Sequence, residues 1–366
     1  MNKPIRVLQI MGIVESGGVE AVIMNYYQHI DREKVQFDFI MHKGANAEYV
    51  RKVHSLGGKV YEITSYSKNI FKFTYEIYKI IKTGKYNIIH CNLNALSGFP
   101  LLAAYLAGAE VRILHNHTTD NKAEGLRTVI KRILRPFAKL FANQYWACSK
   151  LAAEWMYGRQ AAENGKVTII NNAIDLEKFA FDNKKREQLR KTLNLKDKFV
   201  VGHVGRFMKQ KNHDFLIDIF VEVSKKNDKA VLILIGDGPL KQVIENKVNI
   251  LGLSDKVIFL GVRNDVADLY NAMDVFVLPS LYEGLPVVGV EVQANGLPFI
   301  CSANITDEIV ISEKIYRCEL NEGAEFWSEM ILKFSGKERC KVEKIFNEFD
   351  IKVQAKELEK KYEELL

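Results

Sequence analysis

The 366-residue chain is 48% apolar, 10% aromatic and 27% charged, which describes an ordinary folded protein of about two domains and excludes disordered, collagen-like and disulfide-stapled chains. Its net charge of +7 is uneven: residues 1–178 hold 24 Lys/Arg against 15 Asp/Glu and residues 179–366 hold 28 against 30, so the first half is expected to meet a phospholipid surface or a phosphate-bearing substrate, ahead of nucleic acid, for which no motif is present. Five scattered cysteines without a C-x-x-C pair, an opening without a secretion signal, and no apolar run near the ~18 residues of a membrane-spanning helix predict a cytoplasmic protein without disulfides or a zinc site.

Short Val- and Ile-rich runs alternate with segments of helical period, the pattern of parallel sheets covered by helices. The first series of expected strands is 5–11, 37–41, 60–63, 88–91, 111–115, 145–148 and 167–170. Ligands of such sheets bind beyond the carboxyl ends of the strands, so the residues that follow each strand matter most. After the first come Gly17 and Gly18, which would let amides at a helix start approach a phosphate; alone, and without G-x-G-x-x-G spacing, the pair reads as a tight turn. After the fifth come His115, Asn116 and His117. No carboxylate or cysteine stands at zinc-like spacing, and two readings fit equally: a histidine reaching into a ligand cleft, or a hydrogen-bonded loop histidine. From Arg127 the bases Lys131, Arg135 and Lys139 recur every four residues beside an apolar stripe of Leu126, Ile130, Ile133, Leu134, Phe137 and Phe141. This is either a helix that lies on an anionic membrane or a core helix with a solvated basic face, kinked or split at Pro136.

Residues 182–198 are highly charged and read as a solvated helix and connection, with the domain boundary at 178/179. A second series follows at 199–204, 230–235, 257–260, 275–278 and 298–301. Arg206 and Lys211, after its first strand, put two permanent positive charges beside a strand-to-helix turn, a cradle for a diphosphate or a plain basic loop. Gly236 to Pro239 reads as punctuation before a helix, and the loop holding Val262 could present backbone groups to a base. The sharpest pattern is Glu283 with Glu291 eight residues on, two helical turns apart, and Leu285, Val287 and Val288 between them. Both carboxylates can face one cleft, and Glu291, in a very apolar segment, needs a polar partner such as a ribose diol. Residues 343–366 read as a long amphipathic helix with a stripe of Ile345, Phe349, Val353, Leu358, Tyr362 and Leu365.

Taken in order, Gly17-Gly18-Val19-Glu20, the histidine after the fifth strand, Trp146-Ala147-Cys148-Ser149, Asn172-Ala173-Ile174-Asp175, Gly205-Arg206 with Lys211, and Glu283 with Glu291 resemble the GT-B glycosyltransferases of family 4. These are a retaining, nucleotide-sugar-dependent group, and the likeness is greatest to bacterial capsule and exopolysaccharide members. The resemblance implies an α/β fold of two doubly wound, Rossmann-like domains with a cleft between them. The acceptor-side domain would be 1–178, with a C-terminal helix of about 345–366 packing back on it, and the donor-binding domain 179–344. It further implies Glu291 on the ribose hydroxyls, Glu283 beside the donor sugar, and Arg206 and Lys211 on the diphosphate. Amides at Gly17, Gly18, Leu285, Val287 and Val288 would assist, with Val262 near the base. A histidine would lie near the reacting carbon, assigned to His117 with His115 as second choice. Two departures stand out: Asn171-Asn172-Ala173 replaces a common Pro-Asn-Gly, and Pro286 replaces a frequent glycine, removing an amide donor.

The implied reaction moves a hexose or N-acetylhexosamine, with retention, from a nucleotide sugar, expected to be a UDP-sugar, to an undecaprenyl-diphosphate-linked glycan. No metal or other cofactor is implied, nor any oligomeric state, and the enzyme would be cytoplasmic, either free or peripheral on the inner face of the cell membrane. Two rivals are a nucleotide-sugar epimerase or hydrolase on the same fold and a non-catalytic nucleotide-sugar-binding assembly subunit. A two-Rossmann dehydrogenase is disfavoured for want of G-x-G-x-x-G.

Overall fold

The computed structural model describes residues 3–14, 18–118, 126–337, 339 and 347–366. Within them, β1 (Ile5–Ile10), β2 (Val35–His42), β3 (Val60–Ile63), β4 (Ile88–Cys91), β5 (Val111–Asn116), β6 (Gln144–Ala147) and β7 (Thr168–Ile169) form one sheet in the order β3-β2-β1-β4-β5-β6-β7. A second sheet, ordered β10-β9-β8-β11-β12-β13, holds β8 (Phe199–Val204), β9 (Ala230–Ile235), β10 (Val257–Gly261), β11 (Val275–Leu278), β12 (Phe299–Ser302) and β13 (Ile315–Cys318). Neighbouring strands run parallel, as in β1 with β2 and β4 and in β8 with β9 and β11. Positions in β2 and β9 are buried without alternation, because helices cover both faces of such sheets. Each sheet is therefore doubly wound, and strand order reverses between β1 and β4 and between β8 and β11.

The chain divides into one unit of residues 1–173 with 347–366 and another of 174–346. Residues 174–178, counted with the first domain in the sequence reading, lie with the second unit. The strand β13 was not foreseen: only Cys318 in it is buried, and a half-exposed edge strand carries no apolar run. The segment 182–198 does form a helix, Asn183–Thr192, capped by Asp182, but it is not simply solvated. Arg186 donates to the carbonyls of Asn271 and Met273 and to Asp274 Oδ1 at 2.5 Å, and Arg190 to Asp274 Oδ2 at 3.1 Å.

Two helices in the first unit also depart from expectation. Leu126–Phe141 runs unbroken through Pro136, so the proline does not split it. Its expected stripe divides: Phe137 packs on Phe99 and Phe141 on Tyr105, while Ile130 and Ile133 turn outward, Ile133 being 69% exposed. The C-terminal helix starts only at Ile351, where the Asp350 side chain accepts from Lys352 N, and it ends at Glu363. Its buried face is Ile351, Ala355, Leu358 and Tyr362, and Val353 points outward; Ile345 lies outside the described residues.

Candidate active site

In the second unit, the loops that leave β8 and β11 meet where strand order reverses, the place at which doubly wound sheets bind ligands. Leu281 N donates to Gln210 O at 2.8 Å and Asn212 Nδ2 to Pro279 O at 3.1 Å. This brings together two residues 72 apart in sequence: Lys211 Nζ donates to Glu283 Oε1 at 2.6 Å. The same oxygen accepts from Ser280 Oγ at 2.9 Å, and Oε2 accepts from Gln210 Nε2 at 3.0 Å. Glu283 is 7% exposed, so a desolvated carboxylate is balanced by the Lys211 cation and also held by Ser280 and Gln210, the condition under which a buried charge is tolerated. Gln210 and Ser280 were not singled out in the sequence; the available signal was their adjacency to Lys211 and to the end of β11.

The glycines after β9 are more than punctuation. Gly236 has φ +137° and Gly238 φ +156°, and a Cβ on Gly236 would stand 2.2 Å from Gly205 O. The backbone after β9 thus presses directly on the loop that carries Arg206, and Phe207 N donates to Asp237 O at 3.0 Å. Only residues without a side chain permit that approach. Arg206 itself is exposed at the end of β8. On the next loop Val262 is exposed after Gly261, and Arg263 pairs with Asp265 at 2.6 Å.

Leu285 is buried, and Pro286 leads into the helix Val287–Ala294. Val287 and Val288 therefore occupy its first turn, where amides lack intrahelical acceptors. One helical turn on, Glu291 Oε2 accepts from Tyr270 OH at 2.7 Å. The polar partner that Glu291 required is thus supplied inside the protein, at least to one oxygen, and Tyr270 was not identified from sequence. Burial raises the Glu291 carboxyl above its ordinary value, against the opposing effects of the Tyr270 bond and the nearby Lys178 charge.

In the first unit Gly18 opens the helix Gly18–His29, and Gly17 lies outside the described residues. His117 stands just beyond β5. Its backbone N donates to Asn94 Oδ1 at 2.7 Å, and its Nε2 lies 2.9 Å from Asn92 Oδ1. His115, within β5, is buried, and its Nδ1 lies 2.9 Å from His90 Nε2. The two candidate histidines pack ring on ring, centroids 4.0 Å apart. Burial pushes His117 down to about 3 and holds His90 and His115 well below the ordinary histidine value, so all three rings are neutral near pH 7. Ser149 caps the helix Lys150–Tyr157, its Oγ accepting from Ala152 N. Among the described residues no three His, Cys, Asp or Glu side chains are grouped to hold a metal ion.

The family model "Glycosyltransferase Family 4" matches residues 16–178, and "Glycosyl transferases group 1" matches residues 184–321. The putative glycosyltransferase EpsF of Bacillus subtilis is 35% identical over 345 residues, which cover 92% of this chain and 90% of that protein. An Escherichia coli protein named UDP-Gal:alpha-D-GlcNAc-diphosphoundecaprenol alpha-1,3-galactosyltransferase is 31% identical over 232 residues, 62% of this chain and 60% of that one. The crystal structure of Anabaena Alr3699/HepE in complex with UDP-glucose has the same fold, with a TM-score of 0.75 at 18% identity over 97% of this chain and 94% of that one.

Proposed function

The chain belongs to the group 1 glycosyltransferases of family 4, with their GT-B fold, and from that premise we propose that it moves a hexose or N-acetylhexosamine from a UDP-sugar, with retention, to an undecaprenyl-diphosphate-linked glycan in capsule or exopolysaccharide synthesis. The observation that carries the reading is the part-buried Lys211–Glu283 pair where β8 and β11 adjoin. Departure of a nucleoside diphosphate builds negative charge on phosphate oxygens. Lys211, Arg206 and the first-turn amides of Val287–Ala294 are the groups that would stabilise it, and the reaction so written calls on no metal or other cofactor. Glu283 would meet the donor sugar, and Glu291, oriented by Tyr270, the ribose hydroxyls. His117 would contact a sugar hydroxyl as a neutral ring. The acceptor hydroxyl would attack on the face that the leaving group vacates, a phosphate oxygen taking its proton, so no covalent nucleophile is invoked. The name of the E. coli relative supports the choice of donor and acceptor class.

The test is thermal stabilisation by UDP, GDP, ADP and their sugars, on wild type and on Glu291→Ala. A shift with uridine nucleotides alone, lost in the variant, is the expected result; stabilisation by none in a folded sample would sink the donor assignment. Donor turnover without any acceptor would point to an epimerase or hydrolase, and binding without turnover to an assembly subunit.

We also propose that the first unit touches an anionic membrane. The helix Leu126–Phe141 contains five bases and no acid, and its Val129, Ile133 and Leu140 are exposed, Leu140 by 72%, an amphipathic surface suited to a charged lipid interface. No described helix is long and apolar enough to cross a membrane. Co-sedimentation with anionic liposomes at low salt, abolished in Ile133→Asp, is expected; a protein wholly unbound under those conditions refutes the contact.

A further inference from the structure

We propose that Gln210 is a positioning residue for Glu283: its side-chain amide clasps the loop after β11 and holds the Glu283 carboxylate in place while Lys211 is engaged by the diphosphate. The inference rests on the reading that Lys211 meets the diphosphate and Glu283 the donor sugar, and it adds a neutral residue that keeps the two in register.

Gln210 stands in the short turn Lys209–Lys211, between β8 and the helix His213–Lys226. From there it grips three consecutive residues of the facing loop. Its main-chain oxygen accepts from Leu281 N at 2.8 Å, and its Nε2 donates to Tyr282 O at 3.1 Å and to Glu283 Oε2 at 3.0 Å. A primary amide has two hydrogens, and here each has an acceptor. Those acceptors also fix which way the amide points: exchanging Nε2 and Oε1 would set the Gln210 oxygen against a carbonyl and a carboxylate oxygen, neither of which has a hydrogen to give. Glu283 is 7% exposed, so a carboxylate that turned away from these donors would not recover the lost bonds from bulk water.

The clasp matters because Lys211 has two demands on it. In this structure its Nζ is spent on Glu283 Oε1 at 2.6 Å. On the reading above, a bound diphosphate competes for that ammonium. Glu283 then keeps the bond from Ser280 Oγ to Oε1 and the bond from Gln210 Nε2 to Oε2, one on each oxygen, which fixes the plane of the carboxylate without help from the cation. Ser280 belongs to the same loop as Glu283 and moves with it. Gln210 belongs to the loop that carries Lys211, so its amide holds the sugar-side carboxylate at a set distance from the phosphate-side cation, and positioning of that kind lowers the barrier to transfer.

Two substitutions test this by steady-state kinetics. Gln210→Met removes the amide and keeps its length. The bond lost is one to a charged group, so kcat should fall about tenfold, while the Kd for UDP, read by calorimetry, should stay within about threefold because Lys211 and Arg206 are untouched. Gln210→Glu is nearly isosteric and sets a second carboxylate beside Glu283, with Lys211 the cation that the two share. One of the pair then holds its proton to higher pH than a lone glutamate, and in that state the new acid again donates a hydrogen to Glu283. Its kcat relative to wild type should therefore rise about fivefold as pH falls from about 8 to about 6, whereas Gln210→Met should run parallel to wild type. A kcat in Gln210→Met within twofold of wild type overturns the inference. So does a Gln210→Glu profile parallel to wild type, and that variant decides the matter should Gln210→Met fail to fold. Full activity in Glu283→Ala would instead remove the sugar-contacting role of Glu283. The clasp is then read without turnover, from a urea double-mutant cycle of Gln210→Met and Glu283→Ala: coupling of about threefold or more in the unfolding constant supports it, and additive effects overturn it.

Discussion

A half-buried cation beside the expected diphosphate position has to be neutralised while the donor is absent, and Glu283 does this for Lys211 at 2.6 Å. Replacing Lys211 by Met removes the cation where leaving-group charge is proposed to develop. Loss of one such preorganised group typically costs about 10²–10³ in kcat, and initial rates with a UDP-sugar and acceptor check it; activity within threefold of wild type would show that Lys211 does not face the diphosphate. Tyr270→Phe deletes the hydrogen bond that orients Glu291. A hydrogen bond to a charged group contributes roughly 1.5–3 kcal/mol, so UDP affinity measured by calorimetry should weaken about tenfold or more, and an unchanged Kd would mean that Glu291 does not hold the nucleotide. As candidates, Lys211, Arg206 and Glu283 stood out in the sequence because charge following a strand is conspicuous, and Glu291 because it lies in a very apolar segment. Gln210, Ser280 and Tyr270 did not, because neutral side chains acquire a role only from the loop that folds against them.

At the level of elements, the arrangement depends on backbones that approach without side chains between them. In Gly236→Ala the new methyl would meet Gly205 O at a φ of +137°. Strain at such a position is of order 1–3 kcal/mol before the steric clash is added, so the urea midpoint should fall clearly and the loop of Arg206 should move; an unaltered midpoint would show that the two loops yield freely. The C-terminal helix begins at a cap rather than where its apolar stripe begins. Asp350→Ala should cost about 1 kcal/mol, read as a lower Tm, and should fray the end that precedes Ile351. The sequence suggested a longer helix here because periodicity reports apolar spacing and says little about which residue satisfies the first amides.

For the whole molecule, neutral buried histidines set the response to acid. Burial holds His117 at about 3 and His203 at about 4, and holds His213 lower still. In the unfolded chain each titrates near 6.5. Their contribution to stability is therefore complete above pH 6.5, and between there and about pH 4 the unfolded state binds more protons, so stability falls as pH falls, by about 1.4 kcal/mol per pH unit for each histidine. His213 stacks on Phe207 at 4.1 Å and neither of its ring nitrogens has a hydrogen-bond partner. His213→Phe should keep the stack and flatten the pH dependence of the denaturation midpoint between pH 4 and 6; an identical slope would show that His213 is not one of the groups responsible. The fold class was readable from sequence alone, since runs of Val and Ile separated by helical periods have one common solution, the doubly wound parallel sheet, and that solution places whatever follows each strand at a binding edge. Only the tertiary structure decided that Ile315–Cys318 closes a sheet edge, that Ile133 faces outward while Phe137 packs inward, and that Tyr362 reaches Gln9 across 353 residues. The reason is physical: a local pattern records which face of a segment avoids water, whereas the identity of the partner that covers it belongs to residues far away in the chain and leaves no mark on the segment itself.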